Sequence, residues 1–316
     1  MRNLARTVSA ICTATFLITC GRSFIYAGFS QNSLSVPALG MGGAFVAIAD
    51  DASTLFINPA GAAQLRQPEI ACMYAVPYAG LPDVSIYEAY VCAVLPCGKN
   101  GSVIFGGNTV DTAGLLAEQE ARAGYAYSFT PALLAGVSAG YLYHSYNVPA
   151  GDDAANDPVF AKGASKGAFG LDAGLLWNVA PFLRAGASVR HANRPDPGLA
   201  DTDAVPLEAR AGLMGKWSIF RLALEAKLRD CGKDVADSQK ITRAFGLEAS
   251  LLEPSRAGAA GIKLRAGAND AGFSAGARLW IGNTGFDYAC MFSSNLSQDN
   301  SGTHQAALTY RWGKAQ

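Results

Sequence analysis

The chain has 316 residues, half of them hydrophobic, with 25 basic and 25 acidic side chains and a formal net charge of zero. That balance excludes a strongly basic nucleic-acid binder and leaves any electrostatic role to the placement of individual charges. After Ala27 no window approaches the roughly 18 consecutive apolar residues of a membrane helix, so helical spans are excluded as well.

At the amino terminus Arg2 and Arg6 precede an apolar run from Val8 to Thr19, and small Ala27 offers a cleavage point. Residues 1–27 are therefore expected to be a secretory signal peptide. Lipidation of Cys20, which follows Leu17-Ile18-Thr19, is the alternative. Residues 28–67 come next, too rich in Gly and Ala for a good strand. Here Gly40, Gly42 and Gly43 permit positive φ and close backbone approach, and Asn58-Pro59 initiates a turn. Asp50 and Asp51 have two open readings, as partners of cations elsewhere in the chain or as caps of local turns.

From Glu69 onward one design repeats, about ten residues of alternating polarity and then a turn. The predicted strands are 69–77, 87–95, 102–110, 119–129, 133–146, 166–178, 182–192, 205–217, 219–229, 240–252, 257–268, 272–282, 285–294 and 303–312, about fourteen. In the ninth, Phe220, Leu222, Leu224, Ala226 and Leu228 share one face while Arg221, Glu225, Lys227 and Arg229 share the other. Linkers alternate between tight ones, such as 130–132 and Ser218, and longer polar ones, such as 147–165 and 193–204. Short turns at one rim and long loops at the other are the mark of an outer-membrane barrel. Tyr125, Tyr127, Tyr141, Tyr143, Trp177, Trp217 and Trp312 fall toward strand ends on the apolar face, as interfacial girdles do. The fold class expected is all-β, a transmembrane antiparallel β-barrel of about 14 strands over residues 68–316.

The same parity sends Arg184, Arg190, Arg210, Lys216, Arg221, Lys227, Arg229, Lys263, Arg265, Arg278 and Arg311 to the lumen, against Asp172, Glu208, Glu225, Glu248 and Asp287. The interior of the carboxyl-terminal half thus reads as net basic. It can attract an anionic head group, or charge pairs can consume it. Five cysteines follow Ala27, at 72, 92, 97, 231 and 290, without CxxC spacing, so neither a zinc site nor a disulfide framework is expected. His144, His191 and His304 lack metal spacing and no GxSxG or P-loop pattern occurs, so neither an enzyme nor a cofactor protein is expected.

The stretch GMGGAFVAIADDASTLFINPAGAAQL, with Gly40, Gly42, Gly43, Asp50, Asp51, Asn58, Pro59 and Gly61, resembles the amino-terminal signature of FadL-type outer-membrane proteins. These are long-chain fatty acid and aromatic-hydrocarbon transporters, in a superfamily that takes in the PorV-like proteins of type IX secretion. The resemblance implies a fourteen-stranded barrel with residues 28–67 folded inside as a hatch. It implies a hydrophobic, fatty-acid-like ligand that passes the hatch and leaves sideways at a kink in the third strand, where Gly106-Gly107 is the candidate. The alternative is a PorV-like docking or shuttle component whose partners are secretion-system proteins. The terminal strand THQAALTYRW looks like the signal read by the barrel assembly machinery. Outer-membrane lipid is the expected surround.

Overall fold

The computed structural model describes residues 29, 34–80, 85–148, 157–230, 239–252, 260–293 and 301–313. The expected signal peptide, Cys20, Gly28 and Cys231 lie outside the described residues. Fourteen strands are present: β1 (Glu69–Val76), β2 (Ile86–Cys97), β3 (Gly101–Thr112), β4 (Leu116–Ser128), β5 (Leu133–Tyr146), β6 (Ser165–Ala180), β7 (Leu183–Arg190), β8 (Leu207–Trp217), β9 (Phe220–Asp230), β10 (Gln239–Leu252), β11 (Gly261–Asn269), β12 (Gly272–Ile281), β13 (Thr284–Ser293) and β14 (Thr303–Arg311). Each pairs with its sequence neighbours, and β1 closes the barrel against β14 with Glu69 opposite Arg311. Closure leaves no strand edge, as a barrel in hydrocarbon requires.

Alternation sets which face is which. On β9, Leu222 and Leu224 are exposed outward while Glu225 is buried inward, a distribution that suits lipid outside and a polar interior. Tyr125, Tyr141, Trp177 and Trp217 are likewise exposed, Trp217 by 81%. Among the described residues no helix is long and apolar enough to cross a membrane, so the strands are the crossing elements. One rim carries the short connections 98–100, 129–132, 181–182, 218–219 and 282–283, while the other carries 147–164 and 191–206. Exceptions fall on both rims, with 253–260 on the short-turn side and 113–115 and 270–271 on the long-loop side.

At the candidate kink β3 shows no register shift. Its ladder runs unbroken through Gly106 and Gly107, which pair with Cys92 and Val91 of β2 and with Arg122 and Ala121 of β4. Gly106 serves instead to let β2 close in, since a Cβ there would lie 2.5 Å from the Val91 carbonyl. The register shifts lie elsewhere, at Asn178/Ala180 between β6 and β7 and at Ser250/Leu252 between β10 and β11, both on the short-turn rim.

Ahead of β1, Phe29 and residues 34–67 lie within the lumen. Phe29 donates its amide to Glu118 near the long-loop end of β4 at 2.7 Å. Helix α1 (Val36–Gly40) and two 3-10 turns, Ala52–Phe56 and Pro59–Gln64, follow before the chain enters β1. Met41, Phe45, Ile48, Leu55, Phe56 and Ile57 are fully buried, so the apolar core of this protein lies inside the barrel.

Candidate functional site

The inner segment is shaped by its caps. Ser35, Asp51 and Asn58 each stand in extended backbone ahead of a turn and accept a hydrogen bond from an amide inside it, from Ala38, Ser53 and Ala60 respectively. Pro37 and Pro59 lie in the first turns, where a missing amide is harmless. Gly42 and Gly43 take φ of +68° and +98° and turn the chain after α1. Gly61 sits where a Cβ would overlap the Ala49 carbonyl and the Thr54 hydroxyl.

Polar groups of the wall then fasten the folded segment. Glu225 Oε2 accepts from the amides of Phe45 and Val46, both at 2.8 Å. Ser188 donates to the Ile57 carbonyl at 2.7 Å, and Asn269 to that of Gly42 at 2.8 Å. Asn58 Nδ2 reaches both Val46 O at 2.9 Å and Leu175 O of the wall at 3.1 Å. Glu69 joins the segment to the barrel seam, accepting from the Ala52 amide at 2.6 Å and from Arg311 at 2.5 Å. Buried backbone groups outside regular structure need such partners.

The paired carboxylates open and close one continuous chain of charges. Asp50 meets Arg221 of β9 at 2.6 Å, and Arg221 lies 3.4 Å from Glu248 of β10. Glu248 binds Lys263 at 3.2 Å and Arg265 at 2.9 Å on β11. Arg265 binds Asp287 of β13 at 2.8 Å, Asp287 binds Arg278 of β12 at 2.7 Å, and Arg278 returns to Asp51 at 2.8 Å. Five adjacent strands are thereby stitched to one turn of the inner segment. Both readings of the carboxylates are realised, for Asp51 caps its turn and also holds a wall cation. Two further groups lie on the wall, one on β8 and β9 and one on β4, β6 and β7. Arg210 binds Glu208 at 2.6 Å and Glu225 at 3.4 Å, with Lys227 3.7 Å from Glu208. Arg122 binds Glu120 and, at 2.5 Å, Asp172, while Arg190 approaches Glu120 at 3.3 Å.

Of the lumen cations expected from parity, Arg190, Arg210, Arg221, Lys227, Lys263, Arg265, Arg278 and Arg311 therefore sit in ion pairs. The basic bias is largely cancelled by acids that the strand reading did not include, Asp50 and Asp51 from the inner segment and Glu120 from β4. Arg184 is one exception; it donates to the uncharged side chains of Asn178, at 2.6 Å, and Gln64. Glu120 and Arg122 had a sequence signal of their own, a charge at every second residue in AEQEARAG, with alanine taking the outer face.

Glycines on the wall were the other unforeseen element. At Gly136 a Cβ would come 2.5 Å from Pro59, at Gly186 2.5 Å from the Val46 carbonyl, and at Gly246 2.7 Å from the Met41 carbonyl. At Gly40, by contrast, a Cβ would stand 3.3 Å from Arg265 and from Gly276. The barrel thus gives up side chains where the inner backbone comes nearest.

Beneath the inner segment, at the short-turn rim, lies a cavity of about 650 Å³ with Gln64 and Asp50 in its roof. Arg184, Lys216, Arg221 and Arg278 project into it beside Phe182, Met214 and Trp280. Among the described residues no group of three or more His, Cys, Asp or Glu could hold a metal ion. Cys72, Cys92, Cys97 and Cys290 are free thiols.

A closed fourteen-stranded barrel with lipid-suited outside and a charged interior defines an outer-membrane β-barrel protein. Residues 52–310 match the family model of the type IX secretion system membrane protein PorP/SprF, and the chain belongs to that family. Its fold is also that of FadL-type barrels. It is similar to the CymD monoaromatic hydrocarbon channel at 13% identity, covering 92% of this chain and 100% of that one with a TM-score of 0.62. The Ralstonia pickettii toluene transporter TbuX aligns at 12% identity over 90% of this chain and 99% of its own, TM-score 0.60. A Pseudomonas aeruginosa FadL homologue aligns at 13% identity over 91% and 100%, TM-score 0.57. A comparison with curated protein sequences finds no match.

Proposed function

We propose that this protein is a plugged outer-membrane barrel that serves as a docking component of a type IX secretion system. Residues 1–27 direct export and are removed, residues 28–67 are the plug, and the barrel assembly machinery reads β14. The observation that carries this reading is the stitching of Asp50 and Asp51 to five adjacent strands, joined to the PorP/SprF match. A lumen filled by buried side chains and closed by ion pairs suits a platform better than a conduit. The unbroken β3 ladder supports the same view, since it offers no sideways exit.

Transport of a hydrophobic, fatty-acid-like molecule is the second reading, favoured by the barrel this chain shares with hydrocarbon channels. Deleting the gene in its source bacterium separates the two. Docking requires that secreted proteins be retained in the cell, as read by mass spectrometry of the medium, with uptake of labelled oleate unchanged. Lost uptake with intact secretion would replace docking by transport.

A further inference from the structure

The cavity at the short-turn rim has a charge pattern that ion pairing does not explain. Among the described residues, seven basic side chains line it against one acid, Asp50. Four of the seven, Arg221, Lys263, Arg278 and Arg311, are neutralised by acids of the wall or of the inner segment. Three are not. Arg184 rests on Asn178 and Gln64, and Arg66 donates to the Lys99 carbonyl at 3.0 Å. The Lys216 ammonium has no hydrogen-bond or ion-pair partner among the described residues and is exposed to the cavity mouth. Beside these cations stand the apolar side chains of Phe182, Met214 and Trp280.

We infer that this cavity receives an acidic peptide tail bearing an apolar side chain, contributed by a protein on the periplasmic side. The inference rests on the docking reading and names the chemistry of one contact within it. Short turns mark the periplasmic rim of such barrels, which gives the cavity its compartment. The closed strand ladder separates it from the bilayer, so its occupant comes from water and not from the lipid leaflet. Its volume of about 650 Å³ falls within the range of ligand pockets, roughly 300–1,000 Å³, and is room for a few side chains. Three hydrated cations hold a free carboxylate weakly. A tail tethered to a partner already at the rim meets them at an effective concentration near the millimolar range, about what such contacts need. Uncompensated positive charge recessed in a low-dielectric wall also steers acidic chains inward.

Full-length protein in lipid nanodiscs, titrated against a fluorescein-labelled peptide of alternating glutamate and phenylalanine, tests this by anisotropy. The expected result is saturable, salt-sensitive binding that is about tenfold weaker in Lys216→Glu and in Arg66→Glu. Lys216 has no partner among the described residues, and Arg66, at the end of the inner segment, reaches only the exposed Lys99 carbonyl, so both variants keep the fold. The same peptide with glutamine in place of glutamate should not bind, and neither oleate nor inorganic phosphate should displace the acidic peptide at equal concentration. Equal binding of the glutamine peptide, indifference to both variants, or displacement by oleate or phosphate alone would overturn the inference. Its failure is distinct from failure of the docking reading. A deletion strain that loses secretion while the peptide does not bind discards only the acidic tail, whereas a deletion strain that secretes normally discards docking itself.

Discussion

Asp51 divides its carboxylate between the inner segment and the wall. Oδ1 accepts from the Ser53 amide at 3.1 Å, capping the turn Ala52–Phe56, and Oδ2 accepts from Arg278 at 2.8 Å. Arg278 is buried and also binds Asp287, so it is the hinge pin between two acids. Arg278→Ala leaves Asp51 without its wall cation and Asp287 with Arg265 alone, and removing one partner of a buried pair costs about 3–5 kcal/mol. Urea unfolding in lipid vesicles should show a loss of that order, and protease should cut residues 34–67 sooner. Arg278→Lys should recover part of the loss, because charge survives while the fork that serves two acids does not.

Steric fit predicts a second effect. Gly42 combines a φ of +68° with a Cβ position 2.6 Å from the Ala268 amide nitrogen. Gly42→Ala should therefore displace the segment from β11, at a cost above the roughly 1 kcal/mol of the conformation alone. Gly215→Ala is the control, since a Cβ there meets nothing within 4 Å. Thermal unfolding should fall for the first and stay unchanged for the second.

Acid should act on the plug late. Burial opposes ionisation of Asp50, but Arg221, Lys263 and Arg278 outweigh it and hold the carboxyl well below the usual carboxylate range. A depressed folded-state pKa adds stability that is present above the unfolded value, about 3.9, and is lost as pH falls through the folded one. Protease resistance of residues 34–67 should thus persist at pH 5 and decline only in stronger acid. Asp50→Asn should be less resistant at neutral pH and converge with the parent in strong acid.

The barrel was more legible in the sequence than the site. Alternation fixed each strand to within a few residues, as at 133–146, because an apolar outer face and a polar inner one leave no other register. A parity argument also put Arg221, Arg265 and Arg278 inside. It could not name their partners, since Asp50 and Asp51 lie on a segment without periodicity and reach strands more than a hundred residues away in the chain. Gly106-Gly107 was ambiguous for a related reason. A glycine pair signals either a bend or a close neighbour, and only the position of Val91 decides for the second.

The outer face carries its own expectation. Leu224 lies midway along β9 and is 52% exposed on the side assigned to lipid. Leu224→Arg should destabilise the protein in bilayers by about 2–4 kcal/mol. A variant as stable as the parent would speak against hydrocarbon at that position.

Conductance of single molecules in planar bilayers is the most direct test of the plug. The full-length mature protein should stay closed, and a variant lacking residues 28–67 should open a steady pore, because Asp50, Asp51 and the buried side chains of Phe45 and Phe56 leave the lumen together. A full-length protein that already conducts as well as the deletion variant would contradict it.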